Sequence, residues 1–149
     1  MRILYGVVGE GMGHATRSRA VIEHLLKQEH EVRVVVSGRA HAFLADRLDC
    51  WAELEVHEIQ GLHLEFDSEG IDLLETILGN LELVPRRFRK NLEVYTEVAE
   101  DGFEPEVVIS DFESWAYLYA RNHLIPVISI DNMQILARCE HGDDLTGDE

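Results

Sequence analysis

The chain has 149 residues and a mass of 17.0 kDa, the length of one domain on the usual prior of about 100–200 residues, and its 46% apolar content is that of a globular protein. No apolar run approaches the ~18–20 residues that span a bilayer, the N-terminus lacks a signal-peptide pattern, and two cysteines, Cys50 and Cys139, are too few for a disulfide framework, so a reduced, cytoplasmic setting is expected. Net charge is −16, concentrated in residues 50–149, which hold 23 Asp/Glu and six Lys/Arg; such a surface repels phosphate backbones and excludes nucleic acid and anionic membranes as expected partners.

Arg2–Val8 is a short apolar run that reads as a buried strand. A glycine-rich turn follows, Gly9-Glu10-Gly11-Met12-Gly13-His14. Val21, Ile22, Leu25 and Leu26 recur at helical spacing over Ala15–Gln28, with Thr16 or Ser18 as candidate caps. Glu31–Ser37 predicts a second buried strand, Arg39–Leu48 a short helix, and Ala52–Ile59 a third strand. Gln60–Gly70 alternates Leu62, Leu64 and Phe66 and reads as a short edge strand. Ile71–Val84 is helical until Pro85 breaks it. Phe88, Leu92, Tyr95 and Ala99 form the next helical stripe. Glu106–Ser110 is a fourth strand, Asp111–Leu124 a helix, Pro126–Ile130 a fifth strand, and Met133–Cys139 the start of another helix. The expected organisation is one domain over 1–140 and an acidic, flexible end over 141–149.

Short apolar strands alternating with helices predict an α/β protein, a Rossmann-like doubly wound parallel sheet. Ligands of such sheets bind outside the carboxyl ends of the strands. The glycine turn, Asp111 and Asp131-Asn132 all fall on that edge. The turn is not a dinucleotide fingerprint, because Gly9 and Gly11 fit but the third glycine slot holds His14. The acid expected after the second strand is also replaced, by Ser37-Gly38. It is not a phosphate-binding Walker loop, because no Lys-Ser/Thr follows the glycines.

What remains is a histidine at a helix N-terminus, where the dipole disfavours the imidazolium and favours the neutral ring that acts as a base. Asp111 on the same edge is a candidate to hold the other ring nitrogen. The residues alone also allow the plainer reading, in which His14 caps the first helix and Asp111 caps the helix that follows it.

Three segments carry a resemblance. Gly9-Glu10-Gly11-Met12-Gly13-His14-Ala15-Thr16-Arg17 resembles the first loop of glycosyltransferases with the two-lobed GT-B fold. Pro105–Asp111 is similar to their strand that ends in Asp, and Ile125–Asn132 to the strand that follows. The nearest groups are the peptidoglycan N-acetylglucosaminyltransferase and the UDP-glucuronosyltransferases. The resemblance implies an N-terminal GT-B lobe that binds an acceptor, such as a sugar or lipid-linked acceptor, and supplies the catalytic base of an inverting transferase.

On that likeness, His14 takes the acceptor proton and Asp111 orients it. Gly11, Met12, Gly13 and Arg17 line the substrates, and Asp131 and Asn132 join them at the same edge, where capping of the strand end explains these two equally well. No cofactor and no metal are implied. The nucleotide-sugar donor belongs to a second lobe that this sequence does not supply. The chain is thus expected to be a fragment, or a subunit paired with a donor-binding chain, and inactive alone. A nucleotide-sugar epimerase lobe shares the architecture, and a non-catalytic Rossmann-like partner subunit is the competing class.

Arg17 and Arg19 also read as exposed cations of the first helical turn. His57, His63 and Glu65 match no zinc spacing and read as surface residues. Trp115 and Tyr119 share a helix face and read as core.

Overall fold

The computed structural model describes residues 1–51, 54–61, 66–67, 70–71 and 89–130. Its frame comes from the first two apolar runs. Strand β1 (Arg2–Val7) pairs in parallel with β2 (Glu31–Ser37), Ile3 opposite Val32 and Val7 opposite Val36. Helices α1 (Met12–Lys27) and α2 (Gly38–Leu48) follow these strands, and β3 (Glu55–Ile59) joins β2. Helix α3 covers 89–97, and a 3-10 turn, Glu100–Gly102, leads to β6 (Val107–Asp111). Helix α4 (Ser114–His123) and β7 (Val127–Ser129) follow. The five strands form one parallel sheet in the order β3-β2-β1-β6-β7. This is the α/β sheet that the alternation of strands and helices predicts. Among the described residues of the segment expected as an edge strand, β4 (Phe66–Asp67) pairs antiparallel with β5 (Gly70–Ile71), apart from the five-stranded sheet.

Successive side chains of a strand face opposite ways, so each strand feeds two cores. Ile3, Tyr5, Val7, Val34 and Val36 pack under α1 and α2, against Ala15, Ile22, Ala40 and Leu44. Leu4, Val35 and Val108 pack on the other face against Val94, Val98, Phe103, Ala116 and Tyr119. Gly6 belongs to this second face, where a Cβ would stand 2.5 Å from that of Ala116; its absence lets α4 lie close on β1.

One cation is buried in the frame. Arg33 on β2 donates through Nη1 to the carbonyls of Val98 at 2.8 Å and Glu100 at 2.9 Å, lies over the Phe103 ring and pairs with Glu55. It gives the Val98 carbonyl, just past the end of α3, a donor, while the Glu100 carbonyl also accepts from the Phe103 N–H at 3.2 Å. His57, expected at the surface, is instead largely buried between Glu55 and Glu97.

Two helix starts differ from expectation. Helix α1 begins at Met12 after Gly11, whose φ is +87°, and no side chain caps it. Thr16 Oγ1 instead donates to the Met12 carbonyl within the helix, and Ser18 donates elsewhere. Helix α4 begins at Ser114, and Asp111 is the last residue of β6. Its cap is Glu113, which accepts from the Ala116 N–H at 2.7 Å. Residues 72–88 and 131–149 lie outside the described residues. With them go the expected helix over Ile71–Val84, the break at Pro85, the helix start at Met133 and the acidic end.

Candidate active site

The first link is the pairing of β1 with β6, which sets Val7 opposite Asp111. Val8 N–H donates to the Asp111 carbonyl at 3.1 Å, so the two strand ends leave the sheet together. The chain then turns through Gly9, whose N–H donates to Ser37 Oγ at 2.9 Å. A Cβ on Gly9 would stand 2.0 Å from the Ser37 carbonyl oxygen, so only glycine passes there. Gly11 supplies the left-handed turn that starts α1 over the carboxyl edge. Gly13 meets no described atom that would exclude a side chain.

Helix α1 then brings three side chains onto one carboxylate. His14, Arg17 and Ser18 stand at spacings of three and four residues, and so share a helix face. His14 Nδ1 lies 2.8 Å from Asp111 Oδ1. Arg17 donates through Nε to Oδ2 at 2.8 Å and through Nη2 to Oδ1. Ser18 Oγ donates to Oδ2 at 2.6 Å. Arg17 Nη2 also reaches the Ile130 carbonyl at 3.3 Å, which ties the cluster to the end of β7. The Asp111 side chain is 0% exposed, while His14 is 28% and Arg17 42% exposed.

Burial alone would raise the carboxyl's pKa. The hydrogen bonds from Arg17, Ser18 and His14, with the Arg17 charge, outweigh it and hold Asp111 below the ordinary aspartate range, ionised at neutral pH. Tyr5, fully buried beneath, is pushed up by burial and adds no charge. Glu113 is also raised by burial, against the N–H groups of the α4 start; it serves the helix.

Phe112 borders the cluster. It holds a positive φ of 56°, an uncommon state for an aromatic residue, and is 52% exposed with its ring centre 5.9 Å from that of His14. Met12 is exposed on the helix side.

The sequence-predicted residues His14, Asp111, Arg17, Gly11, Met12 and Gly13 thus fall around the start of α1 and the end of β6, and His14, Arg17 and Asp111 touch. Asp131 and Asn132 lie outside the described residues, as do His63, Glu65 and Cys139. Sequence reasoning missed that Arg17 and Ser18 serve Asp111; the signal was their spacing from His14 on a helix that starts at Met12. Among the described residues no group of three or more His, Cys, Asp and Glu could hold a metal, and no helix is long and apolar enough to cross a membrane.

A family model described as "Glycosyl transferase family 1" matches residues 1–148. Over 131 residues the chain is 30% identical to a protein of Methanosarcina acetivorans named "Uncharacterized glycosyltransferase", covering 87% of this chain and 31% of the relative. It is 28% identical over 136 residues to L-arabinokinase of Arabidopsis thaliana, covering 78% and 13%. Among solved structures it is similar to Arabidopsis thaliana UGT89C1 complexed with UDP-L-rhamnose, with a TM-score of 0.59 and 14% identity, covering 97% of this chain and 40% of that one. The chain spans less than half the length of each of these proteins. The fold is accordingly the Rossmann-like N-terminal half of a GT-B fold.

Proposed function

The chain belongs to glycosyl transferase family 1, and from that membership we propose that it is the acceptor-binding lobe of an inverting nucleotide-sugar glycosyltransferase, with His14 as general base. The observation that carries this reading is the buried, ionised Asp111 set 2.8 Å from one ring nitrogen of a partly exposed histidine. A carboxylate there favours the tautomer in which Nδ1 carries the proton and Nε2 keeps its lone pair. Nε2 takes the proton of the acceptor hydroxyl as its oxygen attacks the anomeric carbon. The nucleoside diphosphate leaves from the opposite side, and the configuration inverts. Asp111 balances the imidazolium as it forms.

Gly11, Met12, Gly13 and Arg17 border the mouth where donor and acceptor meet, and Asp131 and Asn132 join them on the likeness of the sequence. The donor class is a UDP-sugar, as named in the UGT89C1 complex, held by a second lobe on the same polypeptide or a partner chain. The likeness to L-arabinokinase favours a second reading, a lobe kept as a binding module in an enzyme of another class.

One experiment separates the two. In the enzyme completed by its donor-binding lobe, His14→Ala lowers kcat by about 10²–10⁴-fold, the usual worth of a general base, and leaves the donor KM unchanged. Near-normal turnover of that variant would hand the lead to the binding module.

A further inference from the structure

His14 Nδ1 is claimed twice. It lies 2.8 Å from Asp111 Oδ1 and 2.9 Å from Arg17 Nη2. In the neutral ring a nitrogen carries either a proton or a lone pair. Protonated, Nδ1 donates to Asp111 but sets its N–H against a guanidinium that can only donate. Unprotonated, it accepts from Arg17 but turns its lone pair on a carboxylate oxygen. The first state leaves Nε2 free to act as a base. The second puts the proton on Nε2 and removes the base. Arg17 and Asp111 therefore pull the same proton in opposite senses.

We propose that Arg17 is a positioning residue that governs which ring nitrogen of His14 carries the proton. An anionic group beside Arg17 would switch the ring to its basic state by drawing the guanidinium off Nδ1. This rests on reading His14 as the base.

Two features of the cluster suit such a switch. Arg17 is its most exposed member, at 42% against 28% for His14, and so is the one an incoming ligand meets. Ser18, fully buried, donates to Asp111 Oδ2 at 2.6 Å, so the carboxylate keeps a partner when Arg17 turns away. The shared chemistry of the trigger is a cluster of anionic oxygens, from the diphosphate of a donor or the acid group of an acceptor. Either source would couple substrate arrival to activation of the base, so that the imidazole is basic only when a substrate is present.

The test reads the ring directly. The chain is labelled with ¹⁵N-histidine, and long-range ¹H–¹⁵N spectra are recorded in alkaline buffer, where the neutral ring is observed. The wild type is expected to show both tautomers, and Arg17→Met only the Nδ1–H form. Inorganic pyrophosphate should move the wild type toward Nδ1–H and leave Arg17→Met unchanged. Glucuronate, tested alongside, separates an acidic acceptor from a diphosphate as the trigger.

A wild-type ring already wholly Nδ1–H and indifferent to both anions would overturn the proposal while leaving His14 as the base. An Nε2–H ring in Arg17→Met would overturn the Asp111 pairing itself, and with it the functional reading. Thermal melting shows that the variant folds. If it does not, the anion titration of the wild type decides alone.

Discussion

Replacing Asp111 by Asn changes the site with almost no change of shape. Arg17 addresses both carboxylate oxygens, Nε on Oδ2 at 2.8 Å and Nη2 on Oδ1, while Ser18 adds a bond to Oδ2 at 2.6 Å. An amide offers one oxygen and one NH₂. Whichever way it turns, the NH₂ meets an Arg17 N–H. The variant therefore loses at least one charge-assisted hydrogen bond, about 1.5–3 kcal/mol, and leaves a buried donor unmatched, about 1–3 kcal/mol. Arg17 is 42% exposed, so water recovers part of this. A net loss of about 2–4 kcal/mol follows, or about 5–15 °C in Tm for a chain of this size.

Urea unfolding followed by circular dichroism measures it, as a lower midpoint at unchanged slope. The pH dependence checks the cause. Burial opposes ionisation of Asp111, but the bonds from Arg17, Ser18 and His14 prevail and its folded pKa is depressed. A depressed carboxyl stabilises the fold above its unfolded value of about 3.9, and the contribution disappears as pH falls through the folded value. The part of the gap between wild type and Asp111→Asn that this carboxylate supplies thus narrows below about pH 4. A variant within about 0.5 kcal/mol of wild type at neutral pH, or a gap that widens below about pH 4, would refute the reasoning.

Phe112→Gly removes a side chain held at φ +56° that is 52% exposed. Relief of about 1–2 kcal/mol is offset by the extra chain entropy of glycine, so the melting point stays level or rises slightly; a fall of more than about 1 kcal/mol would show that the ring is packed. Gly9→Ala drives a Cβ to within 2.0 Å of the Ser37 carbonyl oxygen, a backbone atom, and costs about 3 kcal/mol or more in chemical denaturation. Raising potassium chloride from about 0.1 to 1 M shortens the screening length from ~10 to ~3 Å and raises Tm by relieving self-repulsion among residues 50–149; a flat response would show the charges already paired.

The strands were legible because their signal is local. The Val34–Val36 run, closed by Gly38, has few readings other than a strand buried on both faces. Asp111 was likewise placed on the correct sheet edge by counting strands. The helix starts were not legible. Thr16 and Ser18 carry the hydroxyls of a cap, and Gly9 to His14 read as a glycine-rich turn, which put the start at Ala15. That shift took His14 off the helix and hid its register with Arg17 and Ser18. Asp111 misled in the same way, having the side chain of an N-cap, while Phe112 reverses the backbone and Glu113 does the capping. Arg33 was silent for another reason. Its carbonyl partners after α3 lie more than 60 residues away, and nothing in its own strand points to them.

The distance along the chain between α1 and Asp111 bears on synthesis. The bonds from His14, Arg17 and Ser18 each span more than 90 residues. Closing a loop of that length costs several kcal/mol of chain entropy, which a few side-chain contacts do not repay; the β1–β6 ladder must form first. On the ribosome, β1, α1 and β2 emerge well before β6, at about 5–20 residues per second. For several seconds the nascent chain therefore carries a histidine with no carboxylate to direct it. The ring has no partner in Asp111 until the inner strand of the sheet is inserted, so the pairing of His14 with Asp111 reports completion of the central β-ladder rather than any local folding event.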